Sequence, residues 1–455
     1  MGSKDAFFCT FCSLLLFCFS SKCLSSELDL PQTALVEVDA SWEVSRKIPD
    51  TLFGLFFEEI NHAGAGGIWA ELVSNRSNSQ FDKHSSWKLK NSVALRMEIL
   101  CENCPAGGVG IYNPGFWGMG HGFRKELIYM LLELRPQFLR FPGISHHDEV
   151  DTIIIEPFVK DVLDSLEFAR GSAESTWGSV RSAMGHPERF PLKYVAIGNE
   201  DCGKEFYRGN YLKFYDAIRK AYPDIQMISN CDGSSRPLDH PADLYDFHVF
   251  VSEYAVNEQR DAGKGSLLAS LAEAAFLTGL EKNSDVVQMA SYAPLFVNDN
   301  DSTWNPDAIV FNSWQQYGTP SYWVQTYFRE SSGSVIHPIT ISSRYSDSLA
   351  ASAITWQDSE DIFLRVKIVN FGPNAVNLTI SSRGLQDGVN TAKSTVTVLT
   401  SGNFLDENSF SEPNKARQPF ELPNAAEVME AVLPPFSFTS FDLALDQYSK
   451  LVAEM

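Results

Sequence analysis

Two glutamates in this chain of 455 residues stand where apolar runs of strand character end. KYVAIGNEDCG sets Asn199, Glu200 and Asp201 just beyond one such run, and FVSEYAV sets Glu253, followed by Tyr254, at another. In parallel α/β sheets ligands sit at the carboxyl ends of the strands, so both are places where chemistry belongs. Two strand-end carboxylates suit cleavage of a glycosidic bond: one serves as acid and base and the other as nucleophile, about 5 to 5.5 Å apart in retaining enzymes. Plainer readings stand beside this one. Acids are favoured ahead of the helix that begins near Glu205, which suits Asp201 well, and Glu253 equally reads as a surface residue after an edge strand.

Other stretches supply supporting groups. FGLFFEEINHAGAGGIW carries Glu58 and Glu59 at a third strand end. Alternation lets only one of them face inward, and Glu58 is the candidate for holding hydroxyls. LRFPG adds Arg140, either at the site or as a cation neutralising a carboxylate beneath it. His248 and Glu253 share the segment YDFHVFVSEYAV, residues 245–256, which reads as one strand. Residues five apart on one strand face opposite ways and stand about 16 Å apart, so that reading cannot bring both to one pocket. ISHHDEVD resembles a metal cluster only in composition, since the consecutive His146, His147, Asp148 and Glu149 cannot all reach one ion without a special loop.

These residues depend on a repeated pattern. From Leu52 to about Phe328, short apolar runs alternate with helical stretches, among them EFYRGNYLKFYDAIRKAY and SLLASLAEAAFLTGLEK, both read as amphipathic. Strand then helix, repeated, predicts a parallel sheet or barrel. After about Val335 the helices stop, and ASAITWQDSEDIFLRVKIVNFG, NLTISS, STVTVLT and FSFTSFDLAL alternate as the strands of an antiparallel sandwich do. Residues 34–48 have no helical partner and are expected to join it.

The composition is that of a globular chain, 44% hydrophobic. A formal charge of −21 argues against nucleic acid, which needs clustered Lys and Arg; a neutral sugar is compatible. Lys4, an apolar run from about Ala6 to Phe19 and small residues near Cys23 have the layout of a secretory signal peptide. The mature chain would keep Cys101, Cys104, Cys202 and Cys231, with a local disulfide in CENCPAGG favoured over zinc. Sequons at Asn75, Asn300 and Asn377 are available for glycosylation.

Taken together, LFGLFFEEINHAGAGGIWAELVSNRS, LRFPG, ISHHDEVDTIIIEPFVKDVLDSLEFARGSAESTWGSVR, PLKYVAIGNEDCGKEFYRGNYLKFYDAIR, DFHV and FVSEYAV resemble the plant-type α-L-arabinofuranosidases of glycoside hydrolase family 51. The resemblance runs from about residue 34 to the C-terminus, with gaps. It implies a (β/α)8 TIM-type barrel with a β-sandwich, and retaining release of terminal arabinofuranosyl groups from arabinoxylan and arabinan at the cell wall. It implies no metal or organic cofactor, no nucleic acid partner and no membrane attachment after signal cleavage. By motif, Glu200 matches the acid/base, Glu253 the nucleophile, Asn199 the residue at the sugar 2-hydroxyl, Glu58 a substrate-binding carboxylate and His248 the histidine of a strand end.

The chain departs from that pattern in three places. Residues 75–122 stand where the family carries a much longer carbohydrate-binding-like module. Gly143 runs directly into Ile144, where a loop, a helix and the third barrel strand are expected. His248-Val249 joins Phe250-Val251 where two strand ends should be separate, and Phe250 replaces an expected Tyr. The resulting expectation is an incomplete barrel of six strands, lacking about two. Its organisation is a signal peptide over 1–25, sandwich strands over 34–50, a first barrel strand and loop over 51–74, a module remnant over 75–122, a catalytic barrel over 123–330 and a sandwich over 335–447. An impaired arabinofuranosidase is the leading reading. A non-catalytic truncated isoform or sugar-binding variant, and a β-xylosidase or other glycosidase on the same scaffold, are the alternatives.

Overall fold

The computed structural model describes residues 32–57, 124–140, 154–198, 202–229, 231, 239–246, 253–256, 265–299, 308–312, 314–358, 361–385, 388–415, 417–422 and 424–446. Among the described residues, seven short strands form the parallel arcs of the barrel portion, beside a three-stranded sheet of residues 296–298, 309–311 and 316–318: β1 (Phe53–Phe56), β2 (Leu139–Arg140), β3 (Tyr194–Ile197), β4 (Gln226–Ser229), β5 (Leu244–Tyr245), β6 (Glu253–Tyr254) and β7 (Ala290–Tyr292). They fall into two sheets, ordered β2-β1-β7-β6 and β3-β4-β5, with every neighbouring pair parallel. Among the described residues no strand pairing joins the two arcs. One break lies between β2 and β3, whose described connection holds two helices, α2 (Glu156–Arg170) and α3 (Thr176–Ala183), and no strand.

The second break corrects the sequence reading. Residues 245–256 are not one strand: β5 ends at Tyr245 and β6 starts at Glu253, in different sheets. Among the described residues the two arcs therefore hold seven strand positions rather than six. Parallel neighbours normally need a crossover of a dozen or more residues, and the short run from Asp246 to Ser252 falls below that.

Each arc packs its own core. In α4 (Tyr207–Ala221), Tyr207, Tyr211, Phe214 and Ile218 recur at helical spacing and are buried. With Ile197, Met227 and the partly buried Phe158 and Val162 of α2 they form the cluster under β3-β4-β5. The other arc shares a larger cluster with α1 (Lys125–Glu133), α5 (Leu267–Lys282), α6 (Pro320–Thr326) and the sandwich, including Leu55, Leu271, Tyr292, Phe296, Ile354 and Phe438. Close approach of β1 to the chain before β2 needs Gly54, because a Cβ there would come within 2.4 Å of the Phe138 ring.

The sandwich has a four-stranded sheet of residues 339–342, 32–39, 376–383 and 428–433. Its other sheet has seven strands, 417–421, 389–399, 437–445, 361–370, 349–358, 335–337 and 46–47, antiparallel throughout. From Gln32 the described chain thus starts in the sandwich, builds the barrel portion and returns. Val376, Leu378 and Ile380 alternate with more exposed residues and face the inter-sheet core. Strand 437–445 is buried at every position, because one face of its sheet meets the other sheet and the other meets the barrel portion.

That arrangement also corrects the reading of α5 as amphipathic. Leu267, Ala269, Leu271, Glu273, Ala275, Leu277, Leu280 and Glu281 are all buried, on every face of the helix. It is capped by Ser266, which accepts from the Ala269 N–H at 3.3 Å. Among the described residues no helix is long and apolar enough to cross a membrane.

Candidate active site

Carboxyl ends of strands from both arcs meet at Arg140. It closes β2, its guanidinium lies 4.6 Å from the centre of the Phe56 ring in β1, and Nη1 stands 3.4 Å from Oδ2 of Asp246, just beyond β5. Arg140 and Asp246 thus bridge the arcs with opposite charges. Phe57 N–H donates to the Arg140 carbonyl at 3.0 Å, so the chain leaves β1 beside Arg140 one residue before Glu58.

The segment carrying Glu200 leaves β3 through Gly198, whose φ of 92° lies in the left-handed region that glycine occupies without penalty. This accounts for the glycine in the Gly-Asn-Glu order. Four residues later the chain is fixed again by a disulfide between Cys202 and Cys231, Cα to Cα 5.4 Å.

Glu253 opens β6, in register with Ser291 of β7. Tyr254 is buried and meets the Tyr292 ring edge-on, centroids 5.5 Å apart. Where the chain leaves β6, the Val256 N–H donates to Oε1 of Glu273 at 3.1 Å. Burial pushes the Glu273 carboxyl up to about 7, against the opposing pull of Ser321, the Val256 N–H and Tyr292. Burial, reinforced by Glu273, also drives the Tyr254 hydroxyl well above its usual range.

Of the residues singled out from sequence, Glu58, Asn199, Glu200 and His248 lie outside the described residues, as do Asn75, Asn300, Cys101, Cys104 and the run His146–Glu149. Glu253 is placed by its backbone, Arg140 by its side chain, and Asn377 is exposed on strand 376–383. Among the described residues no three His, Cys, Asp or Glu side chains converge as a metal site needs. Sequence reasoning passed over Asp246 and Glu273. The signal for Asp246 was an acid at the end of an apolar run. For Glu273 it was one acid in the otherwise uncharged stretch SLLASLAEAAFLTGL.

Comparison with known proteins follows the same outline. The profile of the α-L-arabinofuranosidase C-terminal domain matches residues 252–437, and that of the α-L-arabinofuranosidase 1 domain matches residues 145–264. The chain is 42% identical to α-L-arabinofuranosidase 1 of Arabidopsis thaliana, with 96% of this chain and 95% of that protein covered. That alignment spans 646 positions, so a large part of the relative's length faces gaps here. An extracellular exo-α-L-arabinofuranosidase of Streptomyces chartreusis is 30% identical over 59% of this chain and 36% of its own length. Among solved structures, an arabinose-bound family 51 α-L-arabinofuranosidase superposes with a TM-score of 0.70 at 19% identity, over 90% of this chain and 100% of that one. The Thermotoga maritima α-L-arabinofuranosidase arabinose complex gives 0.61 at 17% identity, over 91% and 100%; at such identities the likeness is one of fold. With that fold, both family profiles and close identity along nearly its whole length, the chain belongs to the α-L-arabinofuranosidases of glycoside hydrolase family 51.

Proposed function

We propose that this chain hydrolyses terminal α-L-arabinofuranosyl residues of arabinoxylan or arabinan with retention of configuration, at a rate depressed by its missing barrel segments. The identity of 42% across 96% of the chain carries the reading. Glu200 protonates the glycosidic oxygen while the Glu253 carboxylate attacks the anomeric carbon, which breaks the bond and leaves the sugar esterified to Glu253. Glu200, now ionised, takes a proton from the water that displaces Glu253. Asn199, Glu58 and His248 hold sugar hydroxyls. Support for the site comes from the Gly198 turn and from the anchoring of the Glu253 strand against β7.

The depressed rate follows from the two arcs. Misplacing a reacting group by about 1 Å costs on the order of a hundredfold, and separate cores underlie the strands bearing the two glutamates. An aryl α-L-arabinofuranoside assay tests the proposal, with product configuration read by proton NMR and an aryl β-xyloside as control. Turnover that survives both Glu200→Gln and Glu253→Gln refutes it. The same separation of cores favours a second reading, a protein that binds arabinose without cleaving it; measurable binding with no turnover would select that reading.

The proposal includes secretion toward the cell wall, supported by the apolar N-terminal run, the disulfide and the extracellular Streptomyces relative. It also includes an N-linked glycan at the exposed Asn377.

A further inference from the structure

We propose that the Cys202–Cys231 disulfide positions the general acid, by tying the segment that follows Glu200 to the carboxyl end of the neighbouring strand. The inference rests on the assignment of Glu200 made above. Strands β3 and β4 run in parallel with Ile197 opposite Ser229. Cys231 follows the end of β4 by two residues, and Cys202 follows Glu200 by two. The chain is therefore fixed on either side of residues 199–201, by Gly198 at the close of β3 and by the disulfide beyond Asp201.

The far end of the bond is itself well fixed. Cys231 is 2% exposed, and its N–H donates to the Ser229 hydroxyl at 3.2 Å. That hydroxyl shares a 2.6 Å hydrogen bond with Nε2 of His240, whose ring packs 4.5 Å from the Tyr211 ring centre. A tether to this cluster transmits little play. It matters more here than in a closed ring, because β3 has a strand neighbour on one side alone among the described residues. With no strand pairing across from β2, β4 is the element to which the exit of β3 can be secured, and the disulfide secures it.

Leaving-group chemistry tests the claim. A dinitrophenolate departs without protonation, whereas a weakly acidic phenol or an alcohol needs the acid, and such proton transfer contributes roughly 10²- to 10⁴-fold. The Cys202→Ser/Cys231→Ser variant is expected to lose about tenfold or more in kcat/KM, which reports the acid-assisted first step, on a poor-leaving-group arabinofuranoside, and less than about threefold on the 2,4-dinitrophenyl one. Equal loss on both substrates, as general destabilisation produces, overturns the inference, and so does no loss on either. Glu200→Ala is measured alongside. If it shows the leaving-group contrast and the serine pair does not, the disulfide's role fails while the assignment of Glu200 stands. If Glu200→Ala lacks the contrast, that assignment fails and the inference falls with it.

Should the serine pair not fold, the folded wild-type protein is reduced with a water-soluble phosphine. The disulfide takes two electrons and two protons to give two thiols, the phosphine becomes its oxide with oxygen from water, and alkylation with mass measurement counts the thiols. The same substrate ratio is then read. If no aryl arabinofuranoside turns over, the proposed function fails, and amide exchange across 198–206 decides instead: protection unchanged by loss of the bond overturns the inference.

Discussion

Replacing Glu273 by Gln should remove much of the pH dependence of this protein's stability. Glu273 is 2% exposed in α5, where Oε1 accepts from the Val256 N–H at 3.1 Å and the carboxyl faces the hydroxyls of Tyr292 and Ser321. Its pKa rises from an ordinary 4.5 to about 7, chiefly because burial disfavours the charge. Below pH 4.5 both the folded and unfolded chains hold the proton, and the shift costs nothing. Between about 4.5 and 7 the unfolded chain releases it while the folded chain keeps it, so stability falls as pH rises. Above about 7 the loss is complete, and 2.5 units at 1.36 kcal/mol each make it about 3 kcal/mol. Glutamine copies the neutral acid, accepting from the Val256 N–H and donating to a hydroxyl, and it never ionises.

Glu273→Gln should therefore match the parent near pH 4.5 and exceed it by about 3 kcal/mol near pH 8.5. The assay is urea unfolding of both proteins at the two pH values, followed through amide exchange of α5 peptides so that the transition belongs to this helix. A gain at pH 8.5 that exceeds the gain at pH 4.5 by less than about 1 kcal/mol refutes the reasoning.

Three further outcomes follow from the packing. Lys367→Met should cost about 3 to 5 kcal/mol in urea unfolding, because it strands the carboxylate of Glu281 where both side chains are wholly buried; adding Glu281→Leu should recover most of that loss. His337 is buried between the Ser45 and Thr355 hydroxyls, and burial lowers its pKa from 6.5 to about 4. Its contribution is full above pH 6.5 and is lost as pH falls through 4, so stability measured from pH 7 down to 4 should drop by about 3 kcal/mol more in the parent than in His337→Gln. Because the arcs have separate cores, amide exchange in rising urea should release α2 and α4 ahead of α5, and simultaneous release would count against separate cores.

Short apolar runs bounded by turn residues read as parallel strands, and this is why the ends of β1, β3 and β4 could be read directly, although Ala196 of β3 and Gln226 of β4 are exposed. The sandwich strand 376–383 was equally legible, since alternation of Val376, Leu378 and Ile380 with exposed residues reflects one dry face and one wetter one. Residues 245–256 resisted reading because nothing in DFHVFVSEYAV, neither Gly nor Pro, marks the change of sheet between Tyr245 and Glu253. The surroundings of α5 were invisible for a different reason. Burial on every face follows from lodging between the barrel portion and the sandwich, a fact of tertiary structure that helical periodicity does not record. Four cysteines allow three pairings, and choosing Cys202–Cys231 took the alignment of β3 with β4.

The sandwich secures one proposed catalytic strand far more firmly than the other. Glu281 of α5 is ion-paired with Lys367 of the sandwich and accepts from the Ser331 and Ser352 hydroxyls. The same helix holds the exit of β6 through Glu273. Glu253 thus stands on a strand tied through α5 to the large shared core. Glu200 follows a strand whose core draws its helical residues from α2 and α4, and no sandwich residue takes part in that cluster. Among the described residues the Arg140–Asp246 ion pair links the two arcs, and the Cys202–Cys231 disulfide ties the exits of β3 and β4 within one of them. A carboxylate pair proposed to act together within about 5.5 Å rests on two separate cores, so loss of activity on mild destabilisation should begin on the Glu200 side, before the sandwich or α5 has changed.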